Sequence, residues 1–186
     1  MIGAAARHRG YSGDMVERPF ILVVMGVSGV GKTTLATALA ASLNLPVKEG
    51  DALHPPANVA KMEAGQPLSD EDRAPWLVRI KEWIDTQLDY GQSGIITCSA
   101  LKRAYRDALR ANRTNVVFVY IDGEKSLIRK RLTKRKGHFM PASLLLSQFA
   151  ALEPPAADEY PIVVSAADTP KDQVRKAIDA LNHRLP

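Results

Sequence analysis

Almost nothing in this sequence could cross-link the chain or carry it through a membrane. Its 186 residues hold one cysteine, Cys98, which excludes an internal disulfide framework. No apolar run approaches the roughly 20 residues a spanning helix needs, and none resembles the core of a signal peptide, so the expected location is cytoplasmic. Neither sign of charge dominates. Twenty-five Lys and Arg against 20 Asp and Glu leave a net charge of +5, which suits a nucleic acid and suits equally a site that gathers phosphates. There is no internal repeat and no low-complexity segment. With 46% apolar and 24% charged residues, the length fits one domain with a sizeable core. Residues 1–18 mix Gly, Arg and small side chains without a period and are expected to form a flexible tail, leaving residues 19–186 as a single domain.

What the chain does contain is an alternation of two hydrophobic periods. Short β-rich runs occur at 20–26, 46–51, 94–100, 115–123 and 160–166. Between them lie helical patterns. In 76–88, Trp76, Leu77, Ile80, Trp83, Ile84 and Leu88 share one face while Arg79, Lys81, Glu82, Asp85 and Asp89 lie off it, so that face is expected in the core. Ser69 and Asp72 have capping-box spacing at its start, and Thr169-Pro170 opens an amphipathic last helix. Continuous apolar strands separated by helices imply an α/β fold, a parallel sheet covered on both faces.

The end of the first strand carries the main chemical signal: Gly26, Val27, Ser28, Gly29, Val30, Gly31, Lys32 and Thr33, followed by Thr34, a full G-x-x-x-x-G-K-[ST] match. Placed between a buried strand and a helix, its N–H groups and the positive helix end can converge on a phosphate. Lys32 should reach the β- and γ-phosphates of ATP, and the Thr33 hydroxyl should ligate Mg²⁺. A glycine-rich turn would explain the glycines but not the Lys-Thr pair in register. The loop alone does not distinguish GTPases, motor-type ATPases and small-molecule kinases. No N-K-x-D signature for guanine is present, and the third strand ends in Cys98-Ser99 rather than in a metal-holding acid. Both absences favour a kinase.

A residue able to handle an acceptor hydroxyl is also present. Asp51 falls at the expected carboxyl end of the second strand, on the sheet edge shared with the phosphate loop, where open α/β sheets bind ligands. It could orient or deprotonate an alcohol, or simply cap the following helix.

The segments GVSGVGKTT, GDALHPPANVAKMEAGQPLSDEDRAPWL, CSALKRAYRD, RLTKRKGHF and QFAALEPPAADE resemble the thermoresistant-type gluconokinases, ATP-dependent kinases of D-gluconate, over roughly residues 20–184. That resemblance implies a P-loop kinase fold of the nucleoside-monophosphate-kinase type, five parallel strands in the order 2-3-1-4-5, a lid at about 132–158, and often a homodimer. The acceptor would be gluconate and the product 6-phosphogluconate, with no nucleic acid or membrane as partner. Under it His54 is expected to hydrogen-bond sugar hydroxyls, Arg73 and Lys102 to meet the carboxylate, and Arg106 to join them. His138 is expected to bind substrate too. Where family members often have a Gly-rich turn after strand three, this chain has Cys98-Ser99-Ala100-Leu101-Lys102.

Residues 129–138 place seven cationic or potentially cationic side chains in ten positions. A nucleic-acid patch would interleave aromatics for stacking, and only Phe139 is near. By resemblance to lid-bearing kinases, Arg131 would stack on adenine, Arg135 would swing onto the transferring phosphate, and Pro170 would border the base. The alternatives are a shikimate-kinase-like or other small sugar-acid kinase, a nucleic-acid-binding ATPase, and a noncatalytic nucleotide sensor.

Overall fold

A computed structural model describes residues 18–134 and 142–184. The elements run β1 (Ile21–Met25), α1 (Lys32–Leu43), β2 (Val47–Glu49), a 3-10 turn at Gly50–Leu53, α2 (Pro56–Glu63), α3 (Asp70–Asp89) and β3 (Gly94–Thr97). They continue with α4 (Arg103–Arg110), β4 (Val116–Asp122), α5 (Lys125–Lys134), α6 (Ala142–Ala151), a 3-10 turn at Ala157–Glu159, β5 (Ile162–Ser165) and α7 (Pro170–Asn182). All strand pairs are parallel, in the order β2-β3-β1-β4-β5. The expected tail lies outside the described residues apart from its last position, as do Arg135, His138 and Phe139. No helix among the described residues is long and apolar enough to cross a membrane.

The alternation of side chains along β1 explains why its sequence is apolar throughout. Leu22 and Val24 face one core with Leu35 and Leu39 of α1 and Ala177 and Leu181 of α7. Ile21, Val23 and Met25 face the other, with Trp76, Ile80 and Ile84 of α3 and Leu109 of α4. A central strand covered on both sides has no solvent face to leave polar.

The strands are shorter than the apolar runs. β3 stops at Thr97; Cys98 N still donates to the Val24 carbonyl at 3.0 Å, and Ser99 and Ala100 then leave the ladder, with Ala100 at φ 43°. This departure turns the backbone across the phosphate loop, where the Ser99 carbonyl accepts from Gly26 N at 3.3 Å. Burial pushes the Cys98 thiol up to about 12, so it offers no thiolate nucleophile near neutral pH.

The expected helix starts are present. Ser69 Oγ accepts from Asp72 N at 3.2 Å, and Asp72 Oδ2 accepts from Ser69 N at 3.0 Å. Ser69→Ala is expected to cost about 1 kcal/mol, lowering Tm by about 2–4 °C for a chain of this size. A thermal melt showing no shift would mean that water replaces the cap.

Candidate active site

Every element of the site converges on the carboxyl edge of β1, β2 and β3. The loop between β1 and α1 turns through Gly26 (φ 135°) and Gly29 (φ 80°). A Cβ on Gly26 would stand 3.0 Å from the Ile121 carbonyl, and one on Gly29 would stand 2.6 Å from Leu132. Both positions combine a left-handed backbone with no room for a side chain. Gly31 ends the loop as the N-cap of α1 and has no side chain to cap it, so the first N–H groups of the helix are left for an anion.

Lys32, the first residue of α1, is half-buried and folds back over the loop, donating to the carbonyls of Gly26 at 3.0 Å and Val27 at 3.1 Å. Burial pulls its pKa below the usual lysine value, against the opposing pull of Asp51, Cys98 and Glu49. An ammonium in that setting is short of counter-charge, which phosphate oxygens would supply. Thr33 is exposed beside it, and Lys32, Thr33, Glu49 and Asp51 line one small cavity with Ser28. Glu49, the last residue of β2, accepts from the Thr97 hydroxyl at 2.8 Å, and sequence reasoning did not single it out.

Asp51 sits in the 3-10 turn after β2 with its side chain exposed. It caps neither that turn nor α2, whose N-cap is Pro55. His54 closes the turn, its N–H donating to the Asp51 carbonyl at 3.3 Å. The imidazole stacks on Trp76 with ring centroids 4.3 Å apart and planes 11° from parallel. Its Nδ1 lies 3.4 Å from Asn58 Nδ2. Burial, opposed by Asp51 and aided by Arg73, holds His54 below the ordinary imidazole value, so at neutral pH it is an uncharged hydrogen-bonding ring. Trp76 is more than core. Its indole N–H donates to the Gly50 carbonyl at 2.8 Å, fastening α3 to the turn that carries Asp51 and His54.

Arg73, one turn before the Trp76 stack, has a side chain only 14% exposed and a distant ion pair with Asp70 at 3.9 Å. It lines a single cleft with Ser28, Lys32, Asp51, His54, Trp76 and Gln148. A second cavity, about 360 Å³, lies on the far side of the loop, bounded by Gly29, Gly31, Thr34, Arg131, Asp168 and Pro170. Arg131 is pinned there by the carbonyls of Val30 at 3.3 Å and Ala166 at 2.6 Å.

Two expected acceptor contacts stand elsewhere. Lys102, the N-cap of α4, is taken up by Asp70 at 2.7 Å and is not among the residues lining the cleft. Asp70 is thus shared, closely by Lys102 and distantly by Arg73. Arg106 is 1% exposed and forms a two-armed pair with Glu159, at 2.5 and 2.9 Å. Its remaining nitrogen donates to the carbonyls of Ala100 at 3.0 Å and Leu101 at 3.2 Å. A guanidinium so committed is a strut between α4 and the segment leading to β5, not an acceptor contact.

Gln148 of α6 was also missed. Its Oε1 accepts from the Ser28 N–H at 2.7 Å, joining α6, which falls within the span expected for the lid, to the phosphate loop. Only its place in QFAALEPPAADE drew attention to the segment.

A glycine-rich loop with its lysine, a five-stranded parallel sheet in this order, and an acid and a histidine lining the same cleft as that lysine define a P-loop kinase that passes phosphate to a small molecule. Residues 21–155 match the family model described as "AAA domain". The chain is 55% identical to the gluconokinase of Gluconobacter oxydans (strain 621H), over 84% of this chain and 88% of that one. It is 42% identical to the thermoresistant gluconokinase of Escherichia coli (strain K12), over 83% and 88% respectively. The solved gluconokinase of Sinorhizobium meliloti 1021 superposes with a TM-score of 0.82 at 42% identity, covering 90% of this chain and 94% of that one. The chain belongs to the gluconokinase family.

Proposed function

We propose that this chain transfers the γ-phosphoryl group of ATP to the 6-hydroxyl of D-gluconate, giving 6-phosphogluconate and ADP. The supporting observation is the single cleft in which Lys32 of the phosphate loop meets Asp51, His54 and Arg73. A sugar acid needs a cation for its carboxylate, hydrogen bonds for its hydroxyls, and an acceptor for the proton of the attacking oxygen. Arg73, His54 and Asp51 supply these in that order.

The triphosphate lies along Gly26–Thr34, cradled by loop N–H groups and the start of α1. The adenine end occupies the cavity bordered by Arg131 and Pro170. The acceptor oxygen bonds to the γ-phosphorus, the bond to the β–γ bridging oxygen breaks, and the hydroxyl proton passes to Asp51. Lys32 stabilises the charge that develops on the transferring oxygens. The hard oxygens of the Thr33 hydroxyl and the nearby Glu49 carboxylate fit Mg²⁺, which is bound by few protein groups and completes its shell with phosphate and water. Bound there, the ion would neutralise phosphate charge. The segment of about 132–158 acts as a lid, with Arg135 directed at the transferring phosphate and His138 at the acceptor.

A coupled ADP-release assay across gluconate, other aldonates, shikimate, glycerate and AMP tests the assignment. Gluconate should exceed the others by about a hundredfold in kcat/KM, because a site built around substrate hydroxyls leaves its own polar groups unpaired with the wrong ligand. Comparable turnover of shikimate or another acid would overturn it.

A further inference from the structure

We propose that Gln148 binds the phosphoryl acceptor, its side-chain N–H donating to a polyol oxygen while its carbonyl stays on Ser28. The proposal rests on the gluconate reading above. Three observations carry it. Gln148 Oε1 accepts from Ser28 N at 2.7 Å. Its side chain lines the same cleft as Asp51, His54 and Arg73. It projects from α6, a different element from the 3-10 turn that carries Asp51 and His54.

The chemistry of a carboxamide turns the first observation into a direction. The group is planar, with an acceptor on one arm and two donors on the other. Only the oxygen can take the Ser28 N–H, so the amino group is forced onto the other arm. Once the oxygen is fixed, the donor arm can no longer flip. The acceptor would then be measured directly against the phosphate loop, through one rigid group touching both. Bringing the hydroxyl oxygen and the phosphorus into register is where a kinase without covalent chemistry gains much of its rate.

The neutrality of the side chain matters too. A carboxylate at this place would stand beside the incoming phosphates and oppose them, and a cation would compete with Lys32 for them. An amide can offer donors to hydroxyls with neither penalty. It would complement His54, which lines the same cleft with an uncharged ring, and leave the substrate's one carboxylate to Arg73.

Gln148→Met keeps the length of the side chain and removes both polar arms. It is expected to raise the KM for gluconate about tenfold, the size of one lost hydrogen bond to a bound hydroxyl, with the ATP KM changed less than twofold. A set of gluconates each lacking one hydroxyl supplies a readout that a bracing role would not move. One of them should bind the wild-type enzyme about tenfold more weakly, and the Met variant should no longer distinguish it from gluconate. Gln148→Ala serves for the same comparison if the Met variant does not fold. An unmoved gluconate KM, an ATP KM that rises as much as the gluconate KM, or wild-type discrimination among the deoxygenated acids in the variant would each overturn the proposal. Wild-type enzyme run in parallel keeps the two readings apart, since failure of the wild type to phosphorylate gluconate overturns the substrate assignment itself and this proposal with it.

Discussion

Lys32→Ala is expected to keep the fold and lose about a thousandfold in kcat, about 4 kcal/mol of transition-state stabilisation. The fold should survive because the lysine contributes little to it. It begins α1, where alanine is a better helix former, and its two hydrogen bonds go to the loop carbonyls of Gly26 and Val27. Lys32 itself lines the cleft, so the space its side chain vacates lets water reach those carbonyls. The chemical loss is not replaceable in the same way. The ammonium is poised in a setting that disfavours its charge, with burial pulling its pKa down against Asp51, Cys98 and Glu49. Phosphate oxygens relieve that deficit most when their charge is greatest during transfer, which is why kcat should fall further than ATP affinity. Single-turnover kinetics with a thermal melt of the same sample checks both halves. A folded variant within tenfold of wild-type kcat would remove Lys32 from the transfer step.

The parts of this fold that could be read in the sequence are those determined by local pattern. The glycines and Lys-Thr pair of the loop, the capping box at Ser69 and Asp72, and the alternation of apolar runs each report on a few neighbouring residues. The strand order came with the family resemblance, since pairing β1 between β3 and β4 is a non-local choice. What escaped was also non-local. Arg106 was expected at the acceptor, and its burial depends instead on Glu159, 53 residues away. Lys102 meets Asp70 across 32 residues. Trp76 was legible as a core residue by its period, but its hydrogen bond to Gly50 and its stack on His54 require knowing that α3 crosses the turn after β2. Gln148 gave no signal of its own, because a glutamine on an amphipathic helix is ordinarily a surface residue.

Asp51→Asn and His54→Ala should fail in different kinetic parameters, and the difference separates proton handling from binding. Asparagine preserves the size of Asp51 and one acceptor oxygen, and the exposed side chain caps no helix, so stability should hardly change. What disappears is a basic group for the proton of the attacking hydroxyl, and general-base loss of this kind costs about a hundredfold or more in kcat. Gluconate KM should move little. His54 stands in a different relation to the reaction. Stacked on Trp76 and held uncharged by burial, it can donate to or accept from a hydroxyl but is poorly suited to carry a proton as an imidazolium. His54→Ala should therefore raise gluconate KM about tenfold, the equivalent of one or two lost hydrogen bonds, with kcat and ATP KM nearly unchanged. Because the depressed pKa keeps the ring neutral as pH falls through the ordinary imidazole value of about 6.5, the wild-type gluconate KM should stay flat through that value and rise only below it. A rise centred at 6.5 or above would mean that the protein does not hold the ring below its ordinary pKa. An Asp51→Asn enzyme with near-normal kcat would leave the proton to water or to the phosphate itself, and an unchanged gluconate KM in His54→Ala would reduce the histidine to a support for the turn.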